Sequence, residues 1–273
     1  MNEASTIEQR KPISAFIICC NEENYIADCV KSVAFCDEVL VVDSFSSDRT
    51  VEIAKELGAK VIQREWPGYK KQKSYALSQT SHEWVLNLDA DERVSETLKN
   101  NILEVLRRES MNGSSSSVIG YDVNRLVYYL GRWWRKGGWY PEYRLRFFRK
   151  SQVTWGGIDP HEKPIPHGPT GRLDGDIYHF TYKDMNDQAD RLNKFSTLAA
   201  KERFAIGEQP SLIKMLVNPW VRFVKFYFLK RGFQEGMAGF IIAVLEGYYT
   251  FMKYAKLWEF HYNAKKAADE GKS

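Results

Sequence analysis

Residues Ile13 to Cys20 are apolar almost throughout and do not alternate, which suits a strand covered on both faces. Asn21-Glu22-Glu23-Asn24 breaks the run, and Tyr25 to Phe35 then reads as a helix. A second buried strand, Glu38 to Asp43, leads into the polar loop Ser44-Phe45-Ser46-Ser47-Asp48 and a helix over Arg49 to Leu57. Gly58 stands where a helix commonly ends on a left-handed residue. Lys60 to Gln63 is a third, short strand, Trp66-Pro67-Gly68 is a turn, and Tyr69 to Gln79 is a helix. Glu83-Trp84-Val85-Leu86-Asn87-Leu88 is again an apolar strand, ending abruptly in Asp89-Ala90-Asp91-Glu92. Strands alternating with helices of about ten residues predict a mainly parallel, doubly wound α/β sheet with right-handed crossovers.

The pattern changes after a helix from Ser95 through Glu109. Ser110 to Ser117 is a small-polar surface loop. Val118 to Leu130 is β-like and aromatic, and Gly131 to Tyr140 sets three Trp among Arg, Lys and Gly. Arg144 to Arg149 alternates, placing Arg144 and Arg146 on one strand face. A loop is expected over Trp155 to Glu162, a short strand over Ile177 to Thr181, and a long helix over Asp184 to Ile206. Ser211 to Leu229 and Gln234 to Phe260 read as apolar-aromatic helices with basic residues interspersed. The expected organisation is a polar tail over 1–12, a doubly wound half over 13–109, a second, β-rich and then helical half over 110–209, and amphipathic helices over 210–273.

Composition adds little to this picture except in three respects. A net charge of +4 on 273 residues gives no argument for nucleic acid. The charge is uneven, however: from Ser211 onward ten Lys/Arg face five Asp/Glu. Aromatic residues reach 14%, which favours sugar-stacking or interfacial surfaces beside an ordinary core. Cys19, Cys20, Cys29 and Cys36 have no metal-ligand spacing with a nearby His and read as reduced core thiols of a cytosolic protein. The N-terminal stretch lacks an apolar signal region, and the apolar stretch Met237 to Met252 is short and interrupted by Glu246, so no transmembrane helix is expected.

The candidate chemistry lies at strand ends. Asp89 and Asp91, one residue apart, are either turn formers or a pair able to share a divalent cation on a diphosphate. Upstream, Asn21-Glu22-Glu23, Asp43-Ser44 and the Trp66 to Lys73 segment also follow strand ends, so a doubly wound sheet places all of them along one rim. There Asp43 can accept from a base or ribose, Lys73 can offset phosphate charge, and Asp91 can hold the cation.

Three motifs occur in order: Cys20-Asn21-Glu22-Glu23, then Val41-Val42-Asp43-Ser44 with Ser46-Ser47-Asp48-Arg49-Thr50, then Leu88-Asp89-Ala90-Asp91-Glu92. Over roughly Ile13 to Glu109 the chain resembles the family 2 inverting glycosyltransferases of GT-A fold. Trp66-Pro67-Gly68-Tyr69, Gln72-Lys73, Asp89 to Ser95, His161-Glu162, Arg231-Gly232-Phe233 and Tyr254-Ala255-Lys256-Leu257 resemble the branch of lipopolysaccharide inner-core β-1,4-glucosyltransferases acting on heptose. The resemblance implies a Rossmann-like, mainly parallel sheet with an acceptor-side β extension and C-terminal helices. It implies transfer of a hexose, glucose in that branch, from a UDP-sugar to a lipopolysaccharide core or related lipid-linked glycan.

By the same resemblance Glu22 and Asp43 would contact the nucleoside, with Asp43 reading the uracil edge. Asp89 would lie near the ribose or sugar, and Asp91 would ligate Mg²⁺ or Mn²⁺. Glu162 is the first candidate for the base and Asp159 the second, because an inverting transfer needs a carboxylate on the acceptor side. His179 is either a third metal ligand or a satisfied core histidine. Arg144 and Arg146 either clamp the diphosphate or an acidic acceptor, or form a solvated strand face. Lys73 is expected on the nucleotide, with Lys70 and Lys71 facing solvent. Trp133, Trp134 and Trp139 are a candidate acceptor platform, at least one of them core. Ser47 and Asp48 are expected only to cap a helix.

The C-terminal helices interleave Trp220, Phe223, Phe226, Tyr227 and Phe228 with Lys214, Arg222, Lys225, Lys230 and Arg231. That mixture suits the anionic inner face of the cytoplasmic membrane, with packing on the catalytic domain or homodimer formation as the alternatives. For the reaction itself the alternatives are a peptide or other polysaccharide acceptor, or a non-catalytic sugar-nucleotide sensor. A haloacid-dehalogenase-type phosphatase is excluded because its Asp pair follows the first strand and Arg93 stands where it needs Thr or Val. A sugar nucleotidyltransferase would want a Gly-rich loop where Asn21-Glu22-Glu23 stands.

Overall fold

The computed structural model describes residues 9–111, 117–157 and 162–270. The chain forms two compact units, Met1–Leu126 with Pro141–Phe180, and Val127–Tyr140 with Thr181–Ser273.

In the first unit β1 (Ile13–Cys19), β2 (Glu38–Asp43), β3 (Lys60–Gln63) and β4 (Trp84–Asp89) alternate with α1 (Ile26–Ser32), α2 (Thr50–Glu56) and α3 (Tyr69–Gln79). β1 pairs in parallel with β2 and with β4, setting Ile17 beside both Val41 and Leu88. All seven residues of β1 are buried because the two faces of the strand enter separate cores. Ile13, Ala15 and Ile17 join Leu86 and Leu88 on one face, packing with Ile26, Ala54 and Leu98. Phe16 and Ile18 join Leu40, Val42 and Val85 on the other, packing with Ala76 and Leu77 of α3 and with Trp155. Strand alternation makes this division.

β5 (Glu92–Val94), α4 (Glu96–Met111), β6 (Gly120–Tyr129), β8 (Tyr143–Arg149) and β11 (Thr170–His179) complete the sheet, in the order β3-β2-β1-β4-β8-β6-β11-β5. The parallel half thus ends at β4, and β8 joins it antiparallel. β5 doubles back after the Asp-x-Asp turn and pairs antiparallel with β11, opposing Glu92 to His179. A separate hairpin of β9 (Val153–Gly156) and β10 (Lys163–Pro166) sets Trp155 opposite Pro164. Trp155 and Gly156, expected in a loop, therefore belong to a strand; Ile158 to His161, which include Asp159, lie outside the described residues, as do the loop residues 112–116 and the tail residues 1–8.

The second unit holds β7 (Arg132–Trp134), which pairs with Val127 to Tyr129 of β6, and three long helices, α5 (Met185–Ala205), α6 (Leu212–Val224) and α7 (Gly236–Glu270). Asp184 caps α5 by accepting from the Asp187 amide at 2.8 Å, and Ser211 caps α6 from the Lys214 amide at 3.3 Å. α6 and α7 run antiparallel: Asn218 bonds Tyr254, whereas Arg222, one turn on, bonds Glu246. Gly247 permits their close approach, since a Cβ there would stand 3.2 Å from the Pro219 carbonyl oxygen. Lys256 ties α7 to α5, its ammonium lying 2.8 Å from the Asn193 carbonyl and 2.7 Å from Thr197 Oγ1. Trp134 is fully buried and donates its indole N–H to the Tyr129 carbonyl at 2.8 Å, so it is the core member of the three tryptophans. α7 runs ten residues beyond the expected Phe260.

Candidate active site

The first two strand-end loops are stitched to each other. Asn21 adopts φ 58°, a left-handed conformation that Asn tolerates better than most residues. From there its side-chain oxygen accepts the Ser47 amide at 2.8 Å, and its own amide donates to Ser46 Oγ at 2.8 Å. The Glu22 amide donates to Thr50 Oγ1 at 2.8 Å and the Glu23 amide to Asp48 Oδ2 at 3.1 Å. Ser47 and Asp48 were expected to cap a helix. Asp48 does accept from the Thr50 amide at 3.0 Å, but both residues also brace the Asn21 to Glu23 turn. Asp43 is fully buried at the end of β2. It accepts from the Ser46 amide at 2.9 Å, from the Ser46 hydroxyl and from Gln63 Nε2 at 3.1 Å. Glu22 is partly exposed on the loop beside it.

The third and fourth loops meet through an ionic chain. Lys73, on the inner face of α3, places Nζ 3.0 Å from Asp89 Oδ1 and 3.0 Å from Glu162 Oε1. Its ammonium also lies 5.5 Å from the centre of the Trp155 ring. Lys70 and Lys71, one turn or less away, are exposed, as expected. The other oxygen of Asp89 receives Arg146 at 3.0 Å. Burial opposes ionisation of Asp89, but the Lys73 ammonium and the Arg146 guanidinium outweigh it and hold the carboxyl well below the usual range.

Arg146 is itself buried and forks between Asn87 Oδ1 at 2.8 Å, Asp89 and Glu92 Oε1 at 2.7 Å. Burial alone would weaken its charge; Glu92 and then Asp89 hold its pKa above the ordinary value. Arg144, on the same strand face, is half exposed and turns instead to Glu142 at 2.6 Å. Arg125 joins the two sets, 2.7 Å from Glu142 and 3.5 Å from Glu92. The structure therefore separates the two arginines: one braces the Asp-x-Asp strand end and the other does not reach it.

Glu92, Asn87, Arg125 and Glu142 were not singled out from sequence. Glu92 is fully buried and accepts from the Asp89 amide at 3.0 Å, so it fixes both the backbone and the guanidinium beside Asp89. A sequence signal existed for Asn87, a polar residue inside the apolar run of β4. None distinguished Glu92 from a solvated carboxylate following a turn.

Asp91 is placed by the β5–β11 pairing, its carbonyl accepting the Phe180 amide at 3.0 Å. This brings Asp91 Oδ2 to 3.4 Å from His179 Nε2. His179 Nδ1 is buried with no hydrogen-bond partner among the described residues. No group of three or more His, Cys, Asp or Glu converges as a metal site among the described residues. Glu162 is engaged through Oε1 only; Oε2 is buried with no hydrogen-bond partner among the described residues. The cysteines are free; Cys19 and Cys29 are core thiols, and burial pushes that of Cys29 well above its ordinary value, whereas Cys20, expected in the core, is exposed and Cys36 is partly buried.

The family model described as glycosyl transferase family 2 matches residues 14–161, the segment that carries the Asn21, Asp43 and Asp89-Ala90-Asp91 loops. The chain belongs to this family. Its α/β sheet with C-terminal helices is the GT-A architecture expected from the motifs. The glycosyltransferase is 32% identical over 257 residues to the lipopolysaccharide core biosynthesis glycosyltransferase LpsC of Rhizobium meliloti, covering 92% of this chain and 93% of that one. An uncharacterised glycosyltransferase of Rickettsia typhi is 32% identical over 261 residues, covering 91% and 87%. Among solved structures, TarS of S. aureus in complex with UDP-GlcNAc covers 93% of this chain and 92% of its own, at 16% identity and a TM-score of 0.45.

Proposed function

We propose that this glycosyltransferase moves a hexose, glucose in our reading, from a UDP-sugar to a lipopolysaccharide core or related lipid-linked glycan, with inversion at the anomeric carbon. The observation that carries the reading is the joining of the Asp-x-Asp strand end to Glu162 through Lys73. It brings a phosphate-compatible cation and a candidate base within one ionic cluster, although the three residues are far apart in sequence. The near full-length similarity to LpsC supports the choice of acceptor class.

Asp91 and His179 are the residues that would hold a divalent cation. The geometry fits: His179 turns Nε2 toward the Asp91 carboxylate, while both oxygens of Asp89 are engaged by Lys73 and Arg146. One carboxylate and one imidazole would supply an oxygen and a nitrogen to such a cation, leaving positions for a diphosphate and water. When bound, such a cation neutralises charge on the departing diphosphate. Asp89, immobilised on two cations, is then free of metal duty and suited to accept from sugar or ribose hydroxyls beside it.

Glu162 Oε2 has no hydrogen-bond partner among the described residues and is the acceptor we assign to the base. In a single displacement the acceptor hydroxyl gives its proton to this carboxylate as its oxygen bonds the anomeric carbon and the bond to UDP breaks. Lys73 holds the other carboxylate oxygen of Glu162, Oε1, at 3.0 Å. A donor diphosphate competes for the same ammonium, so its arrival loosens Lys73 from Glu162 and leaves that carboxylate to the acceptor. The test is a panel of UDP-sugars assayed for UDP release with and without a heptose-containing core acceptor, with the anomeric configuration of the product read by NMR. Release from UDP-glucose that depends on the acceptor and yields an inverted linkage is expected; retention of configuration, or no release with any UDP-sugar, would overturn the reading.

A further inference from the structure

The helical unit leaves uncovered an apolar surface whose extent the transfer reaction does not explain. No residue of α6 is buried, although most are apolar. Ile213, Leu216, Val217, Trp220 and Val224 recur at helical spacing and are all exposed, Ile213 by 74% and Trp220 by 71%. On α7 the exposed set Met237, Phe240, Val244, Tyr248 and Phe251 repeats every three or four residues. Trp258 and Tyr262 continue the same line. A stripe from Met237 to Tyr262 is about 38 Å long at the helical rise per residue. Isolated exposed apolar residues need no explanation, but two continuous stripes on packed helices mark a contact surface.

The charges decide what covers it. Between Ser211 and Gln234 there are five Lys/Arg and no Asp or Glu. Lys214 and Arg222 are paired with Glu208 and Glu246. Lys225, Lys230 and Arg231 are exposed and form no ion pair among the described residues, and they flank the exposed Phe228 and Leu229. A symmetric contact between two copies would set each patch against itself and bring these unpaired cations together. An anionic leaflet instead attracts them. Trp and Tyr along both stripes suit the headgroup level of a bilayer. Among the described residues no helix is long and apolar enough to cross a membrane, so the helices would lie on it.

We propose that the exposed stripes of α6 and α7, edged by Lys225, Lys230 and Arg231, form a docking surface for an anionic lipid bilayer. The surface holds the helices in the interface plane, with aromatic side chains among the headgroups and the cations over lipid phosphates. Docking needs neither donor nor turnover, so its failure and the failure of the proposed reaction are read separately.

The test is cosedimentation of the full chain with vesicles of phosphatidylcholine alone or mixed with phosphatidylglycerol. The expected result is binding to the mixed vesicles that weakens with salt and is on the order of a hundredfold tighter than to the neutral ones, from three cations near the surface. The double variant Lys225→Gln/Lys230→Gln should lose roughly tenfold or more on mixed vesicles only. Ile213→Ser/Trp220→Ser should lose binding, with its circular dichroism and UDP release unchanged. Equal binding to both vesicle types, or no binding, overturns the proposal. So does a concentration-dependent dimer in sedimentation that Ile213→Ser/Trp220→Ser dissolves, which would make the occupant a second copy.

Discussion

Lys73 Nζ and Glu162 Oε1 stand 3.0 Å apart with both side chains almost withdrawn from solvent. The same ammonium holds Asp89, so one cation offsets two carboxylates brought together from the β4 end and the segment before β10. Replacing Lys73 by Met leaves the almost buried Glu162 and the partly exposed Asp89 short of a partner. Removing one member of a buried pair costs about 3–5 kcal/mol. The Lys73→Met variant is expected to unfold at lower urea and to bind a UDP-sugar more weakly, as measured by denaturation and calorimetry. Unaltered stability and donor affinity would show that the bridge is incidental.

Glu162→Gln keeps the shape of the side chain and removes its basicity. Donor binding should persist, whereas transfer should fall by roughly two to four orders of magnitude, the usual contribution of a positioned base. Single-turnover transfer beside equilibrium donor binding separates the two effects. If transfer survives, the base lies elsewhere, and Asp159 becomes the residue to replace.

Asp91→Ala removes the one carboxylate that faces His179 and is not already held by Lys73 or Arg146. Chelation of the wild-type protein and this substitution should have the same result, loss of metal-stimulated UDP release with the circular dichroism spectrum intact. Binding of Mn²⁺ in the presence of UDP, followed by paramagnetic resonance, checks the site without turnover. Undiminished Mn²⁺ binding by Asp91→Ala would remove the assignment.

Glu92 gives the sharpest stability prediction, because it is fully buried and receives Arg146, Arg125 and the Asp89 amide. Glu92→Leu alone should destabilise by about 3–5 kcal/mol, leaving a buried guanidinium with less compensation. Pairing it with Arg146→Met should recover part of the loss, since the guanidinium that Glu92 compensated is then gone, while Asp89 keeps Lys73 and Arg125 keeps Glu142. Urea unfolding of the single and double variants checks the coupling; strictly additive losses would argue against it.

Two carboxyls make stability depend on acid. Burial opposes the charge of Glu142, but Arg125 and Arg144 outweigh it and hold its pKa down to about 2, from an ordinary 4.5. Asp89 is depressed in the same direction. A folded pKa below the unfolded one stabilises the fold above the unfolded value and ceases to do so as pH falls through the folded value. Stability should therefore hold near neutrality and decline as pH falls below 4.5 toward 2. Urea midpoints across that range should fall less steeply for Glu142→Gln.

The periodicity of the chain determined the parallel half of the fold almost residue by residue. The β2 strand Glu38–Asp43 and the α3 helix Tyr69–Gln79 have their expected ends. This worked because strands buried on both faces leave continuous apolar runs, and their C-terminal ends must carry whatever polar residues follow. The motif order also determined the family. Sequence did not determine how the charges pair. Arg144 and Arg146 are equivalent in the alternating pattern, yet one is half exposed on Glu142 and the other is buried on Asp89 and Glu92. Glu92 looked like a solvated turn residue until β11 closed over β5. The α7 stripe is diluted in the sequence by buried residues on the opposite face of the helix, such as Gly239, Ile242 and Ala243. Local pattern decides which residues lie in a strand or helix, but an ionic partner is chosen by whichever distant side chain the folded sheet brings within 3 Å of it.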